Sequence, residues 1–252
     1  MLRVILCAAV FAASATASAD FLGIEIREDK KVTAGPTDLR VFNFYAKFDS
    51  GEFADTVIGV GQLDETQSIA IAKQGGANQG ALFYQVSYPL IGGPNSTAPN
   101  ANFFDLDPVF QFDSFVSIGL KSQDPSTGVV DATGLDSEFR FEADVLHGSW
   151  FNSDPPNQQG AGVFNSDKGT WETFIAQLSI TGLDEGAALG APAGATAGNA
   201  GTTWRGDIFS GTLFITLQDT TGDPRRIDFI PSPAPCTLLT LAALTAAARR
   251  RR

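Results

Sequence analysis

Apolar side chains recur at every second position in the interior of this chain, and that period constrains its fold more than any other feature. Val41-Phe-Asn-Phe-Tyr-Ala-Lys-Phe48 and Phe110-Gln-Phe-Asp-Ser-Phe115 come close to alternating apolar with polar residues. Successive side chains of an extended backbone point to opposite faces, so a period of two gives one buried and one wet face. No interior segment holds a 3.6-residue apolar period over three turns, which argues against a helical core. Runs of the same kind, bounded by Gly, Pro, Asn and Asp, occur at 21–27, 39–48, 56–63, 68–73, 81–88, 112–120, 138–143, 173–181, 211–218 and 225–230. Many short strands between turn signals predict an all-β domain. The expected architecture is an antiparallel two-sheet sandwich of jelly-roll type.

The two ends depart from this pattern. Met1-Leu-Arg3 is basic, Val4 to Phe11 is apolar, and Ala17-Ser18-Ala19 is a small-residue cleavage motif. Together they read as a secretory signal helix, with signal peptidase cutting between Ala19 and Asp20. At the other end, Pro231-Ser232-Pro233 precedes an apolar-or-Thr run at 237–248 and then Arg249, Arg250, Arg251 and Arg252. As a helix this run of 12 residues reaches roughly 18 Å. A hydrocarbon core is about 30 Å thick. The segment is therefore a short membrane helix suited to a temporary anchor. The arginines stay on the cytoplasmic side and the body lies across the membrane. The prolines hold the approach to the helix extended, as a processing enzyme requires. The expected division is a signal peptide at 1–19, a sandwich domain at 20–229 and a sorting signal at 230–252.

The order of proline motif, short helix and basic end resembles the PEP-CTERM sorting signal of exosortase-bearing bacteria. The resemblance implies cleavage by an exosortase-like enzyme during export, with the substitution of Ser232 for the usual Glu. Cys236 fits either a small apolar residue of the helix or a processing and lipidation mark. The pieces 112–119, 148–160 and 174–182 resemble a set of exported bacterial proteins that carry such a tail. That likeness implies a shared architecture and brings no activity with it.

Trimming both ends changes the composition to be explained. Arg3 and the four terminal arginines leave, so 17 basic residues fall to 12 against 28 acidic ones, and the formal charge moves from −11 to −16. A field of that sign repels nucleic acid and anionic membrane, so no nucleic-acid partner is expected and membrane contact runs through the tail alone. Both cysteines, Cys7 and Cys236, leave as well. No disulfide framework, thiol nucleophile or Cys-based zinc site is then expected. The 19 of 20 Phe that remain supply a sandwich core.

Carboxylates are the abundant reactive groups. Asp105, Asp107 and Asp113 cluster in sequence, as do Asp131, Asp136 and Glu138. Such oxygens suit a structural Ca²⁺, although neither spacing matches an EF-hand loop and solvated turns use the same residues. His147 lies in Val-Leu-His-Gly-Ser-Trp without a nucleophile elbow, and reads as a strand-end histidine with a backbone partner. Trp150, Trp171 and Trp204 lie near loop edges, where indoles either stack on sugar rings or close the edge of a core. Phe-Asn-Ser-Asp occurs at 151–154 and again at 164–167, which fits either two equivalent Asx turns or a chance recurrence. Long loops are expected at 92–102, 124–136, 154–162 and 187–201, the last rich in Gly, Ala and Pro.

These features predict a non-enzymatic protein of structural or adhesive type. Its expected location is the cell surface, outer envelope or extracellular matrix, after transient anchoring in the inner membrane. Its partners are signal peptidase, an exosortase-like enzyme and an extracellular polysaccharide. Two other readings stay open. One is a carbohydrate-binding module using the loop-edge tryptophans. The other is a carbohydrate-active hydrolase with a pair of carboxylates assembled in space.

Overall fold

The computed structural model describes residues 21–34, 37–49, 56–61, 69–73, 76–88, 93–94, 96–187, 189, 202–205, 208–218 and 224–227. Along the chain the strands are β1 (Phe21–Ala34), β2 (Thr37–Phe48), β3 (Thr56–Gly61), β4 (Ile69–Ile71), β5 (Leu82–Phe83), β6 (Ser87–Tyr88), β7 (Gly93–Pro94), β8 (Phe115–Val116) and β9 (Thr133–Leu135). They continue as β10 (Arg140–Phe141), β11 (Val145–His147), β12 (Trp150–Asn152), β13 (Val163–Asn165), β14 (Thr170–Thr181), β15 (Thr202–Arg205), β16 (Phe209–Gln218) and β17 (Pro224–Ile227). The described residues form an all-β fold, and every pairing between these strands is antiparallel.

Two sheets face each other across a shared core. The first runs β1-β2-β14-β13, with β5 and β8 also paired to β14. The second runs β10-β11-β4-β16-β3-β12-β9, with β15 and β17 also paired to β16. Phe42, Phe44, Ala46 and Phe48 from β2 meet Val57, Val60, Ile69, Leu213, Ile215 and Trp150 from the opposite sheet. Phe209 of β16 sits edge-on to both Phe42 and Phe44, with centroids 5.1 Å apart in each case. Each buried phenylalanine contributes roughly 1.5–3 kcal/mol by leaving water. The period of two in β2 is what delivers these rings to one face.

The other face of β2 is not wet along its length. Leu39, Val41 and Asn43 are buried as well, and exposure returns only towards Tyr45 and Lys47. β14 is buried on both faces from Glu172 to Ile180. On this side of β14 lie a second, smaller cluster of Ala98, Phe115 and Phe174, with Tyr45 and Leu120 packed against it, and the backbone of Tyr84, Gln111 and Asp113, hydrogen-bonded to Ser179 and Gln177. A register shift between Phe174 and Ala176 inserts Ile175 into the ladder. Ile175 and Ala176 both join the main core, and Phe174 stays on the outer face, its ring 5.8 Å from Tyr45. Such a bulge re-aims side chains locally.

Three other elements differ from the sequence reading. β1 continues past Arg27 through Glu-Asp-Lys-Lys to Ala34. It is an edge strand whose free side meets water, so charge suits it, and its two register shifts break the flat edge that invites pairing. The alternating stretch 110–115 is instead a 3₁₀ turn, Pro108–Phe112, followed by the two-residue β8. Pro108 lacks the N–H a ladder needs, and Asp107 caps the turn by accepting from Val109 N at 3.0 Å. The expected loop 124–136 holds β9 at its end.

A strap ties the two sheets together where the loop 154–162 was expected. The carbonyl of Gly160 accepts from Val57 N and from Thr173 Oγ1, both at 3.0 Å, one from each sheet. Gly119 lies against this strap with φ +87°, and an added Cβ there would stand 1.6 Å from Gln159 O. Only glycine fits such an approach.

Candidate functional site

The outer face of the first sheet carries the densest set of charges, and strand register places them. Tyr45 of β2 stands opposite Glu25 of β1 and Phe174 of β14, and Lys47 stands opposite Glu172. Arg27 donates from Nε to Glu25 Oε1 at 2.7 Å and from Nη1 to Glu172 Oε2 at 2.8 Å. Its Nη2 donates to Glu172 Oε1, closing a two-pronged pair across the sheet. Glu172 also accepts from Asn165 Nδ2 at 3.0 Å and Thr170 Oγ1 at 3.1 Å. Glu25 takes Lys168 Nζ at 2.8 Å and Lys47 Nζ at 2.9 Å.

The guanidinium of Arg27, helped by Lys168 and Lys47, holds the Glu25 carboxyl well below the usual carboxylate range. Burial pushes Glu172 up, but Arg27, Asn165 and Thr170 outweigh it and the net direction is down. The same pairs, led by Glu172, raise Arg27. Both carboxylates are thus held ionised and engaged.

Beside this network lies a groove of about 490 Å³ lined by Arg27, Tyr45, Lys121, Asn165, Ser166 and Phe174, among others. Arg27 covers the Tyr45 ring at 4.4 Å. Lys121 hangs over Tyr45 at 5.5 Å and over Phe174 at 5.7 Å. The short edge strand β13 forms the rim, with Val163 71% and Phe164 51% exposed. The groove offers cation, amide, hydroxyl and apolar rim together, which is the chemistry of a polar-ligand subsite. A larger hollow of about 650 Å³ lies by Lys31, Asp38, Arg40 and Asp184. Its principal cation is fastened within the fold, Arg40 donating to both Glu28 oxygens and to Ala187 O.

The residues singled out in the sequence fall in different places. Trp150 is 1% exposed in the main core, its Nε1 donating to Ser117 O at 3.2 Å. It has no face to offer a sugar, which corrects its reading as a stacking residue. Trp171 is half-buried, packed 5.4 Å from the Phe164 ring. Trp204 belongs to β15, and its side chain is outside the described set. His147 ends β11, and its Nε2 stands 3.5 Å from a Glu142 carboxylate oxygen. Ala19, Asp20, Pro231, Ser232, Pro233, Arg249, Arg250, Arg251 and Arg252 lie outside the described residues, as do most of 187–201.

Neither carboxylate cluster gathers as a cation site. Asp131 accepts from Thr133 N, Thr133 Oγ1, Gln159 Nε2 and Ala98 N, which makes it a loop organiser. Asp136 closes a turn on Glu138 N, and Asp113 accepts from Val86 N. Among the described residues no three His, Cys, Asp or Glu side chains stand as a metal-holding group. Both Phe-Asn-Ser-Asp copies form the expected Asx turns. Asn152 Oδ1 accepts from Asp154 N, and Asn165 Oδ1 from Asp167 N. Arg27, Tyr45, Lys121 and Glu172 gave no signal in the sequence, because strand register brings the first, second and last together and Lys121 reaches them from the segment after β8.

Fold and groove define a sandwich-like all-β domain with a cation-bearing outer face. No family model, no curated protein and no solved structure matches the chain.

Proposed function

We propose that this is an exported, non-enzymatic protein of structural or adhesive type, held at the cell surface or in the extracellular matrix. The observation that carries the reading is the C-terminal order of Pro231-Ser232-Pro233, a 12-residue apolar run and Arg249 to Arg252, matched by the signal-like residues 1–19. On this reading signal peptidase cuts after Ala19 and an exosortase-like enzyme removes the tail near Pro233. Both ends are short helices before removal, and the body at 20–229 is a single sandwich of jelly-roll type. The distant pairings β2 with β14 and β3 with β16, each joining an early strand to a late one, support that topology.

The body supports a binding or structural role by the way its acids are used. Glu172 is locked by Arg27 and Asn165, and Glu25 by Arg27, Lys168 and Lys47. A hydrolytic carboxylate needs a raised pKa or a free face towards substrate. Intact-mass measurement of the protein from its native cell envelope tests the proposal. The expected mass begins at Asp20 and stops near residue 233, with or without an added glycan or lipid. A mass running unbroken to Arg252 refutes the sorting reading.

A further inference from the structure

We propose that the groove beside Lys121 binds a carboxylate-bearing sugar, a uronate-type unit of an acidic polysaccharide. Lys121 takes the carboxylate, and Ser166 and Asn165 take the hydroxyls. The proposal names a ligand for the adhesive role above and rests on that role only for polysaccharide as the source of the sugar.

The sign of the charge is the first argument. The chain is acidic, with a formal charge of −11. Yet Arg27, Lys30, Lys47, Lys121 and Lys168 all act on the outer side of one sheet or along its rim. Arg27, Lys47 and Lys168 pair with Glu25 or Glu172. Lys121 and Lys30 are held differently: they lie over aromatic rings, Lys30 at 4.6 Å from Phe112. Neither forms a salt bridge among the described residues. A ring face steadies an ammonium without neutralising it, so its N–H groups remain available to an anion.

The groove also disfavours a neutral sugar. Arg27 and Lys121 already cover the Tyr45 ring. A neutral sugar stacking there would have to displace a cation. An anionic sugar instead adds a charge-assisted hydrogen bond to Lys121, about twice as strong as a neutral one. Glu172 does not oppose it, because the carboxylate is neutralised by the two-pronged Arg27 pair. Ser166 is exposed on the lining, and Asn165 is fixed there by its Asx turn and by Glu172. The rim of Val163 and Phe164 gives the C–H face of a pyranose an apolar neighbour. The volume of about 490 Å³ falls within the 300–1,000 Å³ range of small-ligand sites.

The test uses the purified full chain and titrates it calorimetrically with an oligogalacturonate at physiological ionic strength. The same oligomer with its carboxylates methyl-esterified is the neutral control. The acid form should bind and the ester should not. Lys121→Ala should weaken binding about tenfold or more, Lys121→Arg should retain it, and Lys73→Ala on the opposite sheet should change nothing. Lys121→Ala should also leave Tm unchanged, which separates lost contact from lost fold. Equal affinity for acid and ester, undiminished binding by Lys121→Ala, or no binding of the acid form to the folded wild type overturns the proposal. Binding that survives Lys121→Ala and fails in Val163→Pro places the contact on the β13 edge and overturns it too. Because the titration is done on purified protein, its result is independent of where the cell places the chain. Absent binding by a surface-located protein removes the ligand and leaves the structural role, and binding by a protein that runs unbroken to Arg252 does the reverse.

Discussion

Replacing Glu172 with Gln should cost about 2 kcal/mol at neutral pH and much less in acid. The side chain of Glu172 is 6% exposed and that of Arg27 is 23% exposed, so the pair lies between two regimes. Exposed pairs contribute about 0.2–1 kcal/mol, and breaking a fully buried pair costs about 3–5 kcal/mol. Arg27 keeps Glu25 as a partner, and the substituted amide would keep one acceptor oxygen, so the loss sits near the middle of that span. In a double-mutant cycle with Arg27→Gln, the coupling energy should be about 1–2 kcal/mol. The pH dependence has a definite sign. Glu172 is held below its ordinary value of 4.5 in the folded protein. Its contribution is therefore complete above the unfolded pKa and disappears as pH falls through the folded one. Urea unfolding followed by tryptophan fluorescence measures this directly. With a slope of about 2–3 kcal/mol/M for a body of this size, the wild-type and Glu172→Gln midpoints should differ by roughly 0.7–1 M at pH 7. The gap should narrow steadily below about pH 4.5. A coupling near zero at pH 7, or a gap that widens in acid, refutes the assignment of this pair as a half-buried structural lock.

Gly119→Ala should destabilise by about 3 kcal/mol or more, because a Cβ there meets Gln159 O at 1.6 Å with φ at +87°. Urea midpoints read the cost, and an unchanged midpoint would mean that the strap moves freely. Trp150→Ala should cost about 3–5 kcal/mol by leaving a core cavity and an unpartnered Ser117 carbonyl. Trp150→Phe should cost about 1–3 kcal/mol, chiefly for the lost hydrogen bond; thermal melts separate the two. Glu25→Gln should flatten the acid limb of stability, since Glu25 is held low by Arg27, Lys168 and Lys47. A pH series of unfolding midpoints checks this.

The sequence made the strands of the core legible where an apolar face runs long. β2 and β16 read correctly because their alternating residues meet the opposite sheet over ten or more positions. β9, β11, β12 and β13 are three residues each, too short for a period to stand out. The polar half of β1 carried no apolar pattern because its pairing is satisfied on one side and wet on the other. Phe110 to Phe115 alternated as a strand does, yet Pro108 and the Asp107 cap turned the start into a 3₁₀ segment. The tryptophans illustrate the same limit at the level of sites. Their positions in the sequence mark them as aromatic, but whether an indole faces solvent or core depends on which sheet lies above it.

By itself, the sequence determined the all-β class and antiparallel expectation of an acidic, phenylalanine-rich body, and it offered the two Asx turns. These follow from local chemistry: the side-chain period, Gly and Pro punctuation, and an Asn two residues ahead of an amide. Only the tertiary structure decided that Trp150 is core, that β2 is covered on both faces, and that Arg27, Tyr45, Lys121 and Glu172 share one surface. Those residues are up to 145 positions apart. Their meeting depends on register across β1, β2 and β14 and on the segment after β8 that lays Lys121 over them, and register is set by the packing of whole sheets rather than by any neighbour in the chain.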